Sequence, residues 1–209
     1  MINEIMFTAV NSGVTKKSYT DFGVILTSQE IGAPKPKTYT VDIEGMDGSL
    51  DLSEFFGEIK YENRTLRFTF ETIEKISDWY AKVCIISSFL HGQKMKITIW
   101  SDPDFYYIGR CQIDEYSSNV RLGKIMVSCD AEPYKYKKNV TTFNLISGTN
   151  MVNNGRMTAF ADLMNDREIT INTKTYSAGT HLRAIKLTCG ENKLISNGVA
   201  TLTFQEGEI

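Results

Sequence analysis

Residues 65–70 read Thr65-Leu66-Arg67-Phe68-Thr69-Phe70, and apolar side chains alternate with polar ones along this stretch. Successive side chains of a β-strand point to opposite faces, so Leu66, Phe68 and Phe70 share one face. The segment Met95-Lys96-Ile97-Thr98-Ile99 has the same alternation. Both stretches predict half-buried antiparallel strands and indicate a mainly β fold.

Further strands are predicted on both sides of these two. They are Tyr39 to Ile43, Asp104 to Glu115, Lys124 to Cys129, Thr142 to Ile146, Glu168 to Asn172, Leu182 to Thr188 and Gly198 to Phe204. Residues typical of tight turns separate the first of them, at Gly45 to Ser49 and at Ser101 to Asp104.

One segment has the periodicity of a helix instead. From Ile73 to His91 apolar residues recur at three- and four-residue steps, and Gly92 follows as a natural C-terminal stop. The residues predicted to face the β layer are Ile73, Ile76, Trp79, Tyr80, Val83, Ile86 and Leu90. The sequence thus predicts one prominent amphipathic helix.

Ile85 and Phe89 fall on the opposite side of this helix, in line with Asp78 and Lys82. Two explanations remain open, because either a second layer of the same subunit or a neighbouring subunit could cover them. We therefore treat Ile85 and Phe89 as candidate oligomer-interface residues.

The composition and the spacing of predicted strands change after Pro133. The stretch from Pro133 to Asn139 is polar and basic, and shorter predicted strands with denser turns follow it. We predict an antiparallel β domain that contains the helix at residues 1–139 and a small all-β domain at residues 140–209. The strand count of the second domain predicts a sandwich.

Composition argues against several classes of protein. The net charge is -2 and the pI is about 5.8, whereas strong duplex binding requires a basic patch, so no sequence-specific nucleic-acid binding is expected. The longest apolar run, Val83 to Ile86, is far shorter than the roughly 20 residues of a membrane span, and no membrane insertion is expected. The start Met1-Ile2-Asn3-Glu4 lacks the features of a secretory signal. The four cysteines lie far apart, and we expect reduced thiols.

No catalytic, cofactor-binding or metal-binding residue is predicted. His91 is expected at the helix C-terminus, where it suits the helix dipole, and His181 in a turn. Neither belongs to a recognisable nucleophile motif. The carboxylates between Asp42 and Glu54 do not match a calcium loop, because the glycine of that loop would fall on Asp47. We therefore expect a protein that is not an enzyme.

Several short motifs follow one another in a distinctive order. A Gly-x-Asp-Gly turn lies in the run Val41 to Leu52, and Tyr61-Glu62-Asn63-Arg64 opens the next strand. The later motifs are Trp79 in a helix that ends at His91-Gly92, a Tyr-Tyr-x-Gly-Arg segment at Tyr106 to Arg110, the junction Pro133-Tyr134, and closing strands at Ile185 to Leu194 and Val199 to Phe204. This order resembles the distal tail proteins of long-tailed bacteriophages, whose second domain is a galectin-like sandwich.

The resemblance implies a structural virion protein of a phage or prophage of a Gram-positive host. It implies an oligomeric ring, usually a hexamer, at the distal end of the tail, where it joins the tail tube protein and tape-measure protein to the tail-tip hub protein or adhesion apparatus. The implied location is the virion tail, after assembly in the host cytoplasm. A closed ring needs heterologous interfaces, and Ile85, Phe89 and exposed sheet edges are candidates for them.

A carbohydrate-binding adhesin that contacts the host cell surface is the alternative function. It requires a groove on the second sandwich with at least one exposed aromatic side chain beside polar groups. The aromatic residues of the second domain are only Phe143, Phe160, Tyr176 and Phe204, so ring stacking on a sugar has few candidates there. An enzyme would instead need a pocket in which His91 or His181 meets a carboxylate.

Overall fold

The computed structural model describes residues 3–55, 57–72, 76–119 and 122–209, with the backbone alone at residues 76 and 77. These residues contain eighteen strands and one helix, and the strand pairs are antiparallel. The predicted mainly β class with one prominent helix is confirmed. The chain divides into two compact units, the first made of Met1–Pro103 and Tyr107–Pro133 and the second of Asp104–Tyr106 and Tyr134–Ile209.

The first unit is built on one large sheet with the strand order β2-β1-β7-β8-β9-β6-β3, in which β8 and β9 continue into the second unit. A separate pair, β4-β5, forms a two-stranded sheet of its own. The elements are β1 (Ile5–Ala9), β2 (Thr15–Lys17), β3 (Ile25–Ile31), β4 (Thr40–Asp42), β5 (Ser49–Asp51), β6 (Arg64–Thr72), α1 (Ile76–Leu90), β7 (Lys94–Ile99), β8 (Asp102–Ser118) and β9 (Gly123–Lys137).

The core of the first unit lies between the sheet and α1. The predicted inward residues of the strands are buried, and so are four residues of the helix, namely Trp79, Val83, Ile86 and Leu90. Trp79 packs directly on Gly123, where an added Cβ would lie 2.5 Å from the indole ring. Tyr80, predicted to share this face, is exposed, because it lies a full 100° around the helix from Trp79 and contacts Tyr116 instead. Ile73 and the side chain of Ile76 lie outside the described residues.

The second unit contains two four-stranded sheets, β10-β17-β12-β15 and β11-β16-β13-β14. One aliphatic core, from Leu145 to Phe204, is shared by both sheets, which is the arrangement of a β-sandwich. The strands are β10 (Thr141–Leu145), β11 (Gly148–Asn154), β12 (Ala159–Asn165), β13 (Ile169–Ile171), β14 (Lys174–Tyr176), β15 (Gly179–Leu187), β16 (Gly190–Ser196), β17 (Ala200–Phe204) and β18 (Gly207–Glu208).

The polar stretch before residue 140 is part of a strand. Lys135 and Tyr136 belong to β9 and pair with Glu208 and Gly207 of β18. The contact division of the chain falls at Pro133 and Tyr134. The predicted domains 1–139 and 140–209 stay a prediction.

Candidate functional site

Two of the sequence motifs meet inside the first unit. The Arg64 guanidinium, at the start of β6, lies 5.5 Å from the ring centroid of Tyr107 in β8. Arg64 is only 5% exposed. Burial lowers the pKa of Arg64, and the interaction with Tyr107 offsets part of this effect. The two motif residues therefore stabilise each other in the core.

Three further motif residues, Gly92, Gly109 and Arg110, lie where the end of the helix meets the sheet. The Arg110 guanidinium donates a hydrogen bond to the Gly92 carbonyl (2.5 Å), and the Gly92 N–H donates to the Cys111 carbonyl (2.8 Å). At Gly109 a side chain would collide with β9, since an added Cβ would lie 2.5 Å from the Cys129 Sγ. Close packing thus requires glycine at position 109.

A hollow of about 500 Å³ brings His91 and Asp130 together on the first unit. The His91 Nδ1 accepts a hydrogen bond from the Ile113 N–H (3.2 Å), and the Asp130 Oδ2 accepts one from the Asn63 side chain (3.2 Å). Among the described residues no hydrogen bond joins His91 to Asp130. Each group therefore has a structural partner, and the pair lacks the contact that a general base and its orienting carboxylate require.

The other reactive groups of this hollow are held in the same way. The Ser128 hydroxyl donates to the Asp114 carboxylate at 2.7 Å. A hydrogen bond with the Cys129 thiol, together with burial, raises the pKa of Cys111. Both thiols are free and buried. A thiol that resists ionisation is a poor nucleophile, so Cys111 is not an activated group.

His181 lies elsewhere, in β15 of the second unit. The prediction that it occupies a turn is wrong, because the strand already begins at Gly179. The His181 Nε2 lies 2.8 Å from the Ser177 carbonyl oxygen, and its ring packs against Tyr176. Within the part of the chain that the structure describes, no three His, Cys, Asp or Glu side chains are grouped to hold a metal, and no helix could span a membrane.

The predicted interface residues lie on the outer side of α1. Ile85 is 57% exposed, so no second layer among the described residues covers it. Phe89 is half-buried, because its ring packs 5.8 Å from that of Phe22 and the Lys16 ammonium lies 5.2 Å above it. A shallow groove of about 410 Å³ follows this surface. We call its lining the helix patch: Lys16, Cys84, Ile85, Ser88 and Phe89. The interface role of Ile85 and Phe89 stays a prediction.

A second exposed apolar surface belongs to residues 35–62, which we call the acidic hairpin. Its base is held by hydrogen bonds from the Lys37 N–H to the Lys60 carbonyl (2.7 Å) and from the Glu62 N–H to the Lys35 carbonyl (2.8 Å). Strands β4 and β5 pair with each other. Five of its large apolar side chains are exposed: Tyr39, Ile43, Met46, Leu50 and Phe55. Exposed apolar side chains grouped in this way are typical of interaction surfaces.

The charge of the acidic hairpin is one-sided. Residues 35–62 contain seven acidic and three basic residues. The whole chain has 23 basic and 25 acidic residues, so the rest of the chain has 20 basic against 18 acidic. The hairpin and the remainder of the molecule therefore carry opposite net charge.

The second unit has a groove of about 430 Å³ on the outer face of the sheet β10-β17-β12-β15. Phe160 lies in it and is 45% exposed. The Arg183 guanidinium lies 4.6 Å from the centroid of this ring. Asp162 and Thr203 line the groove beside them. We call this site the sheet groove, and it has the exposed aromatic and neighbouring polar groups that the adhesin alternative requires.

No family model and no curated protein matches this chain. Solved structures do match, among them SPP1 Dit (gp 19.1), described as a paradigm of the hub adsorption apparatus in phages that infect Gram-positive bacteria. The TM-score is 0.71 at 13% sequence identity, and the match covers 98% of this chain and 99% of that chain. The predicted resemblance to distal tail proteins is confirmed at the level of the fold, which this chain shares with SPP1 Dit over nearly its whole length.

Proposed function

We propose that this chain is a structural subunit of a phage tail tip, where copies assemble into a closed ring, a hexamer, at the distal end of the tail. In this role it links the tail tube protein and the tape-measure protein to the tail-tip hub protein and the adhesion apparatus. It is assembled in the host cytoplasm and resides in the virion tail of a phage or prophage of a Gram-positive bacterium. It works by contact and not by catalysis.

The observation that carries this proposal is the end-to-end match with SPP1 Dit. The match leaves almost no part of either chain uncovered, so both units of this protein have counterparts in a protein of a phage adsorption apparatus. At 13% identity the match concerns shape and not particular catalytic residues, and the proposed function is one of shape and assembly.

Two different exposed surfaces support closure into a ring. In a ring each subunit presents one patch to the preceding copy and a different patch to the next one. The helix patch and the acidic hairpin are two such surfaces on the first unit, and both expose large apolar side chains. The opposite charges of the hairpin and of the remaining chain favour contact between copies and disfavour contact between two hairpins.

Replacing Ile85 with Asp tests the ring. The side chain is 57% exposed, so the change should leave the fold intact while it places a charge in the subunit contact. Sizing by light scattering should give a discrete oligomer for the wild type and a monomer for Ile85→Asp. The matched control is Leu182→Asp, which alters an aliphatic side chain that is 75% exposed on the second unit and should leave the oligomer unchanged.

Thermal melting of the same variants separates assembly from folding. We expect the Ile85→Asp monomer to melt cooperatively and close to the wild-type protein studied below its assembly concentration. A wild type that is monomeric at every concentration, or an Ile85→Asp oligomer of wild-type size, would rule out a ring through the helix patch.

We also propose that residues 140–209 fold independently of residues 1–139. The support is the aliphatic core of the sandwich, whose buried members all lie between Leu145 and Phe204. Lys138, just beyond the end of β9, is the expected first site of tryptic cleavage. Two resistant fragments in limited proteolysis agree with this division, whereas progressive loss of the second fragment contradicts it.

A further inference from the structure

The sheet groove is built by an irregularity that a sandwich core does not need. Between the pairs Ala161–Ile185 and Leu163–His181, strand β12 has one residue and β15 has three. The extra residues bulge outward, and Arg183 lies in their middle opposite Asp162. Bulges of this kind re-aim a side chain, and here the Arg183 guanidinium lies over the ring of Phe160.

The backbone of Arg183 is strained in this position. Its φ is +52°, a left-handed conformation that non-glycine residues adopt at a cost. A hydrogen bond from the Arg183 N–H to the Asp162 Oδ1 (2.7 Å) holds the bulge in place. Arginine, and not glycine, occupies this left-handed position, and its side chain is the group that lies over Phe160.

The groups that face the sheet groove define a neutral, hydroxyl-rich ligand. Asp162 supplies carboxylate acceptors and Arg183 supplies guanidinium donors, and the charges of these two lining residues cancel. An anion is attracted by the guanidinium and repelled by the carboxylate, and a cation the reverse, so the pair favours neither charge. Phe160, still 45% exposed beneath Arg183, offers an apolar ring surface, and Thr203 adds a hydroxyl group. A volume of about 430 Å³ admits one or two sugar rings.

We propose that the sheet groove is a saccharide-binding site, in which a neutral sugar packs its apolar face on Phe160 and exchanges hydrogen bonds with Asp162 and Arg183. The ligand class is a neutral hexose or N-acetylhexosamine of the kind exposed on cell-surface glycans. The site lies wholly within the second unit, so it does not depend on assembly into a ring. It extends the proposed structural role, because each subunit would also contact the cell surface weakly, and a ring would multiply that contact.

Saturation-transfer NMR on the full chain tests the site with glucose, galactose, rhamnose and N-acetylglucosamine as probes. Glucuronate and glucosamine are the charged counterparts. We expect at least one neutral sugar to bind in the millimolar range and both charged sugars to bind more weakly. Absence of transfer to every neutral sugar, or preference for a charged one, would overturn the proposal.

Variants locate the binding. Phe160→Ala should weaken it about tenfold or more, and Phe160→Trp should keep or strengthen it, because a larger ring face is offered. Met164→Ala is the matched control, since Met164 is an exposed residue of the same strand β12 outside the groove. Equal affinities of Phe160→Ala and Met164→Ala would assign the binding to another surface and contradict the proposal.

Arg183→Gly separates a binding role from a structural one. Glycine accepts the left-handed backbone without strain, so this variant should melt at the wild-type temperature or above it. It should nevertheless bind the sugar about tenfold more weakly, because the guanidinium donors are lost. Unchanged affinity in a folded Arg183→Gly protein would remove Arg183 from the site.

Discussion

The first unit buries more rings than the second, and the second buries amides, although both units are built from antiparallel strands and both cores contain aliphatic side chains. The aromatic residues in the first core are Phe7, Phe22, Phe68, Phe70, Trp79 and Tyr107, against Tyr176 and Phe204 in the second. The second unit instead buries Asn150, Asn154 and Asn165. The first core therefore has large ring contacts in addition to its aliphatic ones, whereas the second relies on aliphatic contacts and amide hydrogen bonds.

The buried asparagines of the second unit hold its turns. The Asn154 Nδ2 donates to the carbonyls of Met157 (2.6 Å) and Thr188 (3.2 Å). The Asn165 Nδ2 donates to the carbonyls of Arg167 (2.7 Å) and Ser177 (2.8 Å). Each amide donates to carbonyl groups of residues outside the strands, so short strands can end in a buried place with these carbonyls paired.

The largest effect is expected from Trp79→Ala. The change removes the largest fully buried side chain and leaves a cavity between α1 and Gly123, which should cost about 3–5 kcal/mol. Both tryptophans belong to the first unit, so the emission of Trp100 still follows its unfolding in urea. If Trp79→Ala lowers the free energy of unfolding no more than Leu202→Ala does in the second core, the contrast between the two units does not hold.

Gly109→Ala tests the close approach of β8 and β9. The added Cβ would lie 2.5 Å from the Cys129 Sγ and 2.6 Å from the Asp130 carbonyl oxygen, so the backbone must move. Overpacking of this kind should cost about 1–3 kcal/mol, measured by urea unfolding of the first unit. Gly13→Ala is the control for backbone strain alone, since glycine 13 has a positive φ and no neighbour within 4 Å of an added Cβ.

Asn165→Ala should destabilise the second unit alone. The Arg167 carbonyl would lose its Asn165 donor, and the Ser177 carbonyl would keep only its contact with the His181 Nε2, at a cost of about 1–3 kcal/mol. Far-UV circular dichroism follows both units, whereas tryptophan emission follows the first, so the transition seen by dichroism should shift and that seen by emission should not. An equal shift in both signals would show that the units unfold as one.

Thr20→Val should have the smallest effect, and one that depends on pH. Burial raises the pKa of Glu4, but hydrogen bonds from Thr20 and the charge of Lys17 outweigh it, and the pKa falls below its ordinary value of 4.5. A lowered carboxyl pKa adds stability above the ordinary pKa, and this stability is lost as the pH falls through the folded-state pKa.

The free energy of unfolding of the wild type should therefore exceed that of Thr20→Val by up to about 1 kcal/mol at neutral pH. This difference should shrink below pH 4.5. Urea unfolding at a series of pH values measures this difference. A stability difference that stays constant as the pH is lowered below 4.5 would mean that the Thr20 hydroxyl acts by packing and not through the Glu4 carboxylate.

Strand alternation and helical periodicity are the most reliable signals in the sequence. Several strands nevertheless lack a clear alternation and were not predicted. The alternations at Leu66 to Phe70 and at Met95 to Ile99 matched strands with the predicted buried faces. No strand was predicted for Ile5–Ala9, Ile25–Ile31 or Ala159–Asn165. The last of these places Ala and Asn at buried positions, and these residues do not signal burial by their composition.

By itself, therefore, the sequence determined the mainly β class, the single helix, the core faces of the long strands and a motif order typical of distal tail proteins. Only the tertiary structure decided that Arg64 meets Tyr107, that Phe22 half-covers Phe89 while Ile85 stays exposed, and that a bulge turns Arg183 onto Phe160. Burial patterns repeat every two or every 3.6 residues and can be read locally. Register, bulges and the partner of an exposed side chain depend on residues distant in the chain, and no local period encodes them.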